Sequence, residues 1–229
     1  TSVAGLDDAA FRGCLSLGIN RQSLVSGLLS GHAKAAQFPI SPVSPLYPTE
    51  LDTVFSATAF ADALAACDAR PTRTLRLLVN SENAFKVSMA QQIAAAFTAA
   101  GVATEAVSLP WEEYTAALAA GSFDLYYGEV RLTADWNAAS LLATGGSLNY
   151  GNWSDLQCDQ LLEACLASTD RKSALNALCR YLQVQAPILP VCFETVSALY
   201  ESDVVEGLAP TAAEPFYGLS GCVIHLKVS

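Results

Sequence analysis

Few residues of this chain stand where chemistry could be done, and the most telling are Asp135, Trp136 and Asn137. They follow residues 123–127, Phe-Asp-Leu-Tyr-Tyr, an apolar and aromatic run short enough for a buried strand. Open α/β sheets gather their ligands outside the carboxyl ends of strands. An acid beside an aromatic at that place can hold a cationic group against a flat apolar wall. Asp135 is also suited to cap the short helix that follows, a role the general N-cap preference favours. Arg131, four residues earlier, either answers a ligand carboxylate or pairs with Glu129 at the surface. Tyr150 and Trp153, in a polar-aromatic loop further on, either line side-chain pockets or pack as ordinary loop residues.

Other chemistries find little support. The sequence holds no Walker loop, GxGxxG, GxSxG, HExxH or EF-hand pattern. An α/β-hydrolase reading fails for want of a nucleophile elbow. Gly145-Gly146-Ser147 lacks the lysine and the strand-to-helix setting of a phosphate cradle. Glu112 and Glu113 fall in a helix's first turn, where acids offset the macrodipole. His32 and His225 have no evident Cys, Ser or acid partner, so neither reads as catalytic. The seven cysteines form no CxxC and stand far from both histidines, which argues against zinc. Free buried thiols are favoured over a disulfide framework by the chain's length and core; in helical patterns Cys158, Cys165 and Cys179 serve as small hydrophobes. No cofactor or metal is expected. A net charge of −10 argues against nucleic acid, whose phosphates nothing here would neutralise.

The elements that must position these residues read clearly in the middle of the chain. Mean hydropathy is +0.32 and 52% of the 229 residues are hydrophobic, yet no window nears about 18 uninterrupted apolar residues, so the apolarity belongs to a core. Helices are expected over 7–19 and 21–29, the second capped by Asn20. Four prolines between 36 and 48 then forbid regular structure, and 57–67 returns to a helical period. Residues 74–80 form a strand, 83–100 an alanine-rich helix ended by Gly101, 102–109 a strand and 110–121 a helix opened by Pro110; the 123–127 strand follows. This β-α-β-α-β run with short connections implies parallel strands. A short helix over 138–143, a helix capped by Ser154 and running to 167, and one capped by Asp170 and running to about 185 come next. Strand candidates at 188–193 and 195–200 and a last strand near the end complete the chain. The opening Thr1-Ser-Val-Ala-Gly lacks the basic and apolar regions of a signal peptide.

The order of these pieces resembles the C-terminal part of the family 5 extracellular solute-binding proteins, the oligopeptide and dipeptide receptors of ABC importers. Phe11-Arg-Gly-Cys-Leu-Ser-Leu-Gly-Ile-Asn20-Arg21-Gln-Ser-Leu-Val is similar to the family's "VRQALSYAIDREALV" helix pair, with Asn20 where Asp is usual. Pro39-Ile-Ser-Pro-Val-Ser-Pro is similar to its proline loop. Trp111, Tyr114, Leu118, Gly121, Phe123 and Asp124 follow "W..Y...L..G.FD". Asn149, Tyr150, Asn152, Trp153, Asp159, Leu161 and Leu162 match "N...Y.N...D.LL". Asp170-Arg171 opens the next helix, and 186–190 match the "..P.IP" entry to a strand.

The resemblance implies an α/β fold: a periplasmic-binding-protein-like lobe of type II, with a mixed sheet of β-α-β units flanked by helices. It implies that residues 1–229 are a single C-terminal ligand-binding lobe, with 1–6 and 216–228 near the hinge and the N-terminal lobe without a counterpart. Asp135 falls at the family's "AD" position, where peptide receptors pair an Asp with the ligand's α-ammonium group. Two departures stand against simple transfer: the run from Asp124 to Asp135 is about two residues longer than the family's, and Ala138 replaces an acid or proline. The implied partners are a peptide ligand and ABC permease subunits, with no nucleic acid and membrane contact only through a lipid anchor of the full-length protein. The implied location is the extracellular face of the cell membrane or the periplasm, and the implied role is binding without catalysis. Receptors for nickel chelates, haem or sugars belong to the same family, and similar modules serve as ligand-sensing domains of transcription regulators.

Overall fold

A computed structural model describes residues 5–68, 70–195, 199–201, 203–211, 214 and 216–225. The chain divides into two compact units, Thr1–Phe193 and Glu194–Ser229.

The first unit is built around β2 (Leu75–Asn80), which pairs in parallel with β3 (Thr104–Leu109) on one side and with β4 (Leu125–Tyr127) on the other, giving the order β3-β2-β4. Strand alternation sends Leu75, Leu77 and Val79 into one core and Leu78 into another. A central parallel strand buried on both faces needs this near-continuous apolar run. Helix α4 (Ala84–Ala99) covers the first face with Met89, Ala90, Ile93, Ala94 and Phe97, spaced three and four apart. Its ends are written in the sequence: Asn83 Oδ1 accepts the Lys86 N–H at 3.1 Å, and Gly101 takes the left-handed conformation, φ +95°. Helix α5 (Trp111–Ala119) covers the other face with Tyr114 and Leu118; Glu112 and Glu113 stand in its first turn, and Gly121 is again left-handed. The first core is completed by α1 (Ala9–Leu17), α2 (Arg21–Leu28) and α3 (Ala57–Ala65).

A second core lies between α7 (Leu156–Ala167), α8 (Arg171–Gln185), the short α6 (Ala139–Leu142) and the proline segment, which contributes Phe38, Ile40, Tyr47 and Leu51. Cys158, Cys165 and Cys179 are buried here as apolar residues. Strand β1 (Ala33–Ala35), which the sequence did not announce, pairs with β5 (Cys192–Glu194). Two arginines of the helix-pair motif act as fasteners. Arg12 donates to the Gln185 carbonyl at 2.7 Å and so caps the carboxyl end of α8, where its charge also suits the macrodipole. Buried Arg21 donates to the Pro190 carbonyl at 2.7 Å and to Ser16.

The second unit contains β6 (Val205–Glu206) and β7 (Val223–Ile224), an antiparallel pair. His225 does have an acid partner: its Nε2 lies 3.2 Å from Glu206 Oε2, both side chains being exposed. The strand expected over 195–200 and the segments expected near a hinge lie partly outside the described residues. The helix expected to start at Ser154 is instead capped by Asp155, whose Oδ1 accepts the Cys158 N–H at 2.8 Å. Among the described residues no helix is long and apolar enough to cross a membrane.

Candidate ligand-binding site

The carboxyl end of β4 is held from two sides. Tyr114 Oη on α5 donates to the Tyr127 carbonyl at 3.0 Å, and Tyr126 is the middle of an edge-on aromatic series, 5.2 Å from Phe123 and 6.0 Å from Tyr150. From this fixed end the chain runs out as residues 128–137. The stem of that loop is tied to the start of α4 by an ion pair between Lys86 and Glu129. Glu129 therefore meets Lys86, while Arg131 is exposed two residues beyond. Asp135, Trp136 and Asn137 form the turn that leads back to α6.

The turn is tightly specified. Trp136 adopts a left-handed backbone, φ +57°, uncommon for a bulky residue, and its N–H closes the turn on the Thr133 carbonyl at 2.9 Å. Its ring packs edge-on against Phe193 at 5.7 Å, on the margin of the second core. Asn137 Oδ1 accepts the Ala139 N–H, the first of α6, at 2.9 Å, while the N-cap position itself is held by Ala138, whose side chain cannot cap. Asp135 is thereby left out of the capping. The Thr133 hydroxyl donates to its Oδ1. This hydrogen bond, with the Asn137 N–H and the charge of Arg171, outweighs partial burial and holds the carboxyl below the usual carboxylate range. Arg171, in the first turn of α8, donates to the Asp135 carbonyl at 2.6 Å, and its buried Nε has no hydrogen-bond partner among the described residues. The result is an ionised carboxylate on a buttressed turn beyond the sheet's carboxyl end, with an indole beside it.

The other expected site residues fall into different surroundings. Tyr150 belongs to the Tyr126 stack, and Trp153 packs on the second core with its backbone clamped by Asn149, which accepts from the Trp153 N–H at 3.0 Å and donates to its carbonyl at 2.7 Å. Sequence reasoning missed Arg171 and Thr133 as supports of Asp135. The Asp170-Arg171 motif marked the place of the first, and the Thr-x-Asp spacing was the available sign of the second. It also missed two exposed aromatics at the same end of the sheet: Phe85, in the first turn of the helix after β2, and Trp111, in the first turn after β3. A recess elsewhere, lined by Ser16, Phe38, Leu182 and Ile188, has a volume of about 60 Å³, too small for a peptide. Among the described residues no cluster of three or more His, Cys, Asp or Glu side chains could hold a metal ion.

Residues 1–152 match the model of the bacterial extracellular solute-binding proteins, family 5 Middle. The chain belongs to this family. Its members work outside the cytoplasmic membrane, in the periplasm or on the extracellular face, and that is where this protein is located. No curated protein sequence matches the chain. Solved structures with the same fold include HbpA2 from Haemophilus parasuis (TM-score 0.79, 18% identity, 97% of this chain and 46% of that one). The oligopeptide-binding protein AppA from Bacillus subtilis, in complex with a nonapeptide, has a TM-score of 0.72 at 16% identity, over 97% of this chain and 48% of its own. NikZ from Campylobacter jejuni, in complex with Ni(L-His), has a TM-score of 0.68 at 17% identity, over 84% and 44%. The periplasmic-binding-protein fold is thus the one expected, and the chain spans less than half the length of these structures.

Proposed function

We propose that this chain is the C-terminal ligand-binding lobe of an ABC importer's substrate-binding protein, and that the whole protein captures oligopeptides or dipeptides for a membrane permease. The observation that carries the reading is Asp135. An ionised carboxylate, fixed by Thr133 and Arg171 on the turn after β4, is suited to the α-ammonium group of a peptide. The peptide's main chain binds as an added strand, with Trp136 as an apolar wall and Tyr150 and Trp153 at the margin of tolerant pockets. Arg131 faces the ligand's carboxylate, and Asn137 holds the turn in register. The two lobes of the whole protein close on the ligand about a hinge. The protein does no chemistry on its ligand, and a lipid anchor on the full-length form keeps it at the membrane. The nonapeptide held by AppA, which shares the fold, supports the peptide class.

The test is calorimetry of the intact receptor against a mixture of short peptides, with native mass spectrometry to identify carried ligands. A spread of peptide masses and an Asp135→Ala loss of a few kcal/mol, about 100-fold or more in Kd, are expected. A single adduct of fixed mass would replace the peptide by a chelate or sugar. Unchanged peptide affinity in Asp135→Ala would remove Asp135 from the site.

A further inference from the structure

Cys14 lies within α1 and Cys67 just beyond the end of α3, 53 residues later, yet their sulfurs are 3.1 Å apart. A disulfide bond is about 2.05 Å long, so bonding asks the two sulfurs to close roughly 1 Å. Both backbones are already held in place. Helix α1 packs on α3 within the first core, where Phe11, Leu15, Phe60 and Leu64 are all buried. Cys67 is fixed by its N–H to the Leu64 carbonyl at 3.1 Å, and its thiol turns towards the Ala63 carbonyl at 3.4 Å. Cys14 is almost fully enclosed and Cys67 is half-buried, so one sulfur of the pair stays within reach of an external oxidant. The family's location outside the cytoplasm supplies the setting in which such pairs are oxidised and persist.

We propose that Cys14 and Cys67 form an intrachain disulfide that staples α1 to α3 in the exported protein. The oxidant is a disulfide of the extracytoplasmic space, on a small thiol or a thiol–disulfide oxidoreductase. The Cys67 thiolate attacks one sulfur of that disulfide, forming a mixed disulfide and releasing one thiolate of the oxidant, which takes up a proton. The Cys14 thiolate then attacks Cys67 Sγ and expels the oxidant's second sulfur as a thiol. Two electrons pass to the oxidant, and the two thiol protons lost here are balanced by the two gained there. Burial and the hydrogen bond to Cys67 push the folded Cys14 thiol up to about 12. The second step therefore belongs to the assembly of α1 on α3, before the core closes over Cys14. Cys158, Cys165 and Cys179 are instead buried among the leucines of the second core, and none of the half-buried hydrophobic residues packed against that core is a cysteine that could meet the oxidant first. The inference rests on the family's location and not on the identity of the ligand.

The full-length protein, purified from the periplasm or medium, is denatured without reductant, alkylated with N-ethylmaleimide and digested. A cross-linked peptide pair carrying Cys14 and Cys67 is expected, with both labelled only after reduction and the other five of these seven cysteines labelled at once. Labelling of Cys14 or Cys67 before reduction, or a bridge to a different cysteine, overturns the proposal. Cys14→Ser and Cys67→Ser provide a second readout through their melting temperatures. Each should lower Tm by the same amount, and the double variant by no more than either. Additive losses would signify two separate packing contacts and count against the bond.

Discussion

Asp124 shows how a residue of a binding protein can matter for the fold alone. Both its oxygens meet Arg73 at 2.6 Å, and Oδ2 also accepts the Arg76 N–H at 2.8 Å, which fastens the entry of β4 to β2. Burial opposes its ionisation, but the Arg73 and Arg76 hydrogen bonds and the Arg73 charge prevail and hold the carboxyl below its ordinary range. A carboxyl whose pKa is depressed by folding adds stability above the unfolded value of about 3.9, and that contribution drains away as pH falls through the folded value. Asp124→Asn should therefore lower stability near pH 7 by about 1 kcal/mol, a modest figure because Arg73 is half-exposed. It should also flatten the acid limb of a plot of Tm against pH below about 4. An unchanged acid limb in the variant would mean that the ion pair contributes nothing. The same lesson holds for other motif residues. Arg12, Arg21 and Asn149 carry the family pattern, and each spends its hydrogen bonds inside this unit, on backbone carbonyls or N–H groups and, for Arg21, also on the Ser16 hydroxyl.

At the scale of elements, the turn after α6 is the most demanding. Gly145 is left-handed, φ +73°, with open space around it, whereas a Cβ on Gly146 would stand 2.6 Å from the Ser140 carbonyl oxygen and 2.7 Å from that of Ala139. Backbone cannot give way as a flexible side chain can, so Gly146→Ala is expected to cost about 1–3 kcal/mol by urea denaturation. Gly27→Ala, in α2 with nothing near its Cβ, should instead gain about 0.5–1 kcal/mol. What the sequence made legible follows from how local each signal is. The caps of α4, α5 and α8 are written in adjacent residues, as Asn83, Pro110 and Asp170, and the period of β2 reports its two buried faces. Strands β1 and β6 were not legible, since Ala-Lys-Ala and Val-Glu hold too few residues to display an alternation. Strand β4 is shorter than its apolar run because Asp124 turns its carboxylate back on Arg73 and Arg76. That Asn137, and not Asp135, accepts the first N–H of α6 depends on the left-handed turn at Trp136, which spacing does not reveal.

At the scale of the whole molecule, the cross-link from Cys14 to Cys67 would close a loop of 53 residues and so limit the unfolded chain, an effect of about 4 kcal/mol in the loop-entropy description. The loop so closed feeds both cores, since Phe38, Ile40, Tyr47 and Leu51 within it belong to the second. The turn at Asp135 likewise draws on two: Leu125 and Tyr127 pack on the first core, while Trp136 and Ala138 belong to the second. Residues 128–137 are therefore a strap between two separately packed bodies of side chains. Opening of either body slackens the strap, so a ligand that grips Asp135 draws on both and stabilises both by mass action. Deuterium uptake should accordingly slow, once ligand is bound, in buried amides of α4 and of α8 alike. Slowing confined to one of the two would show the strap to be anchored at one end only. Occupancy at Asp135 would then be legible in the breathing of the interior as well as at the surface.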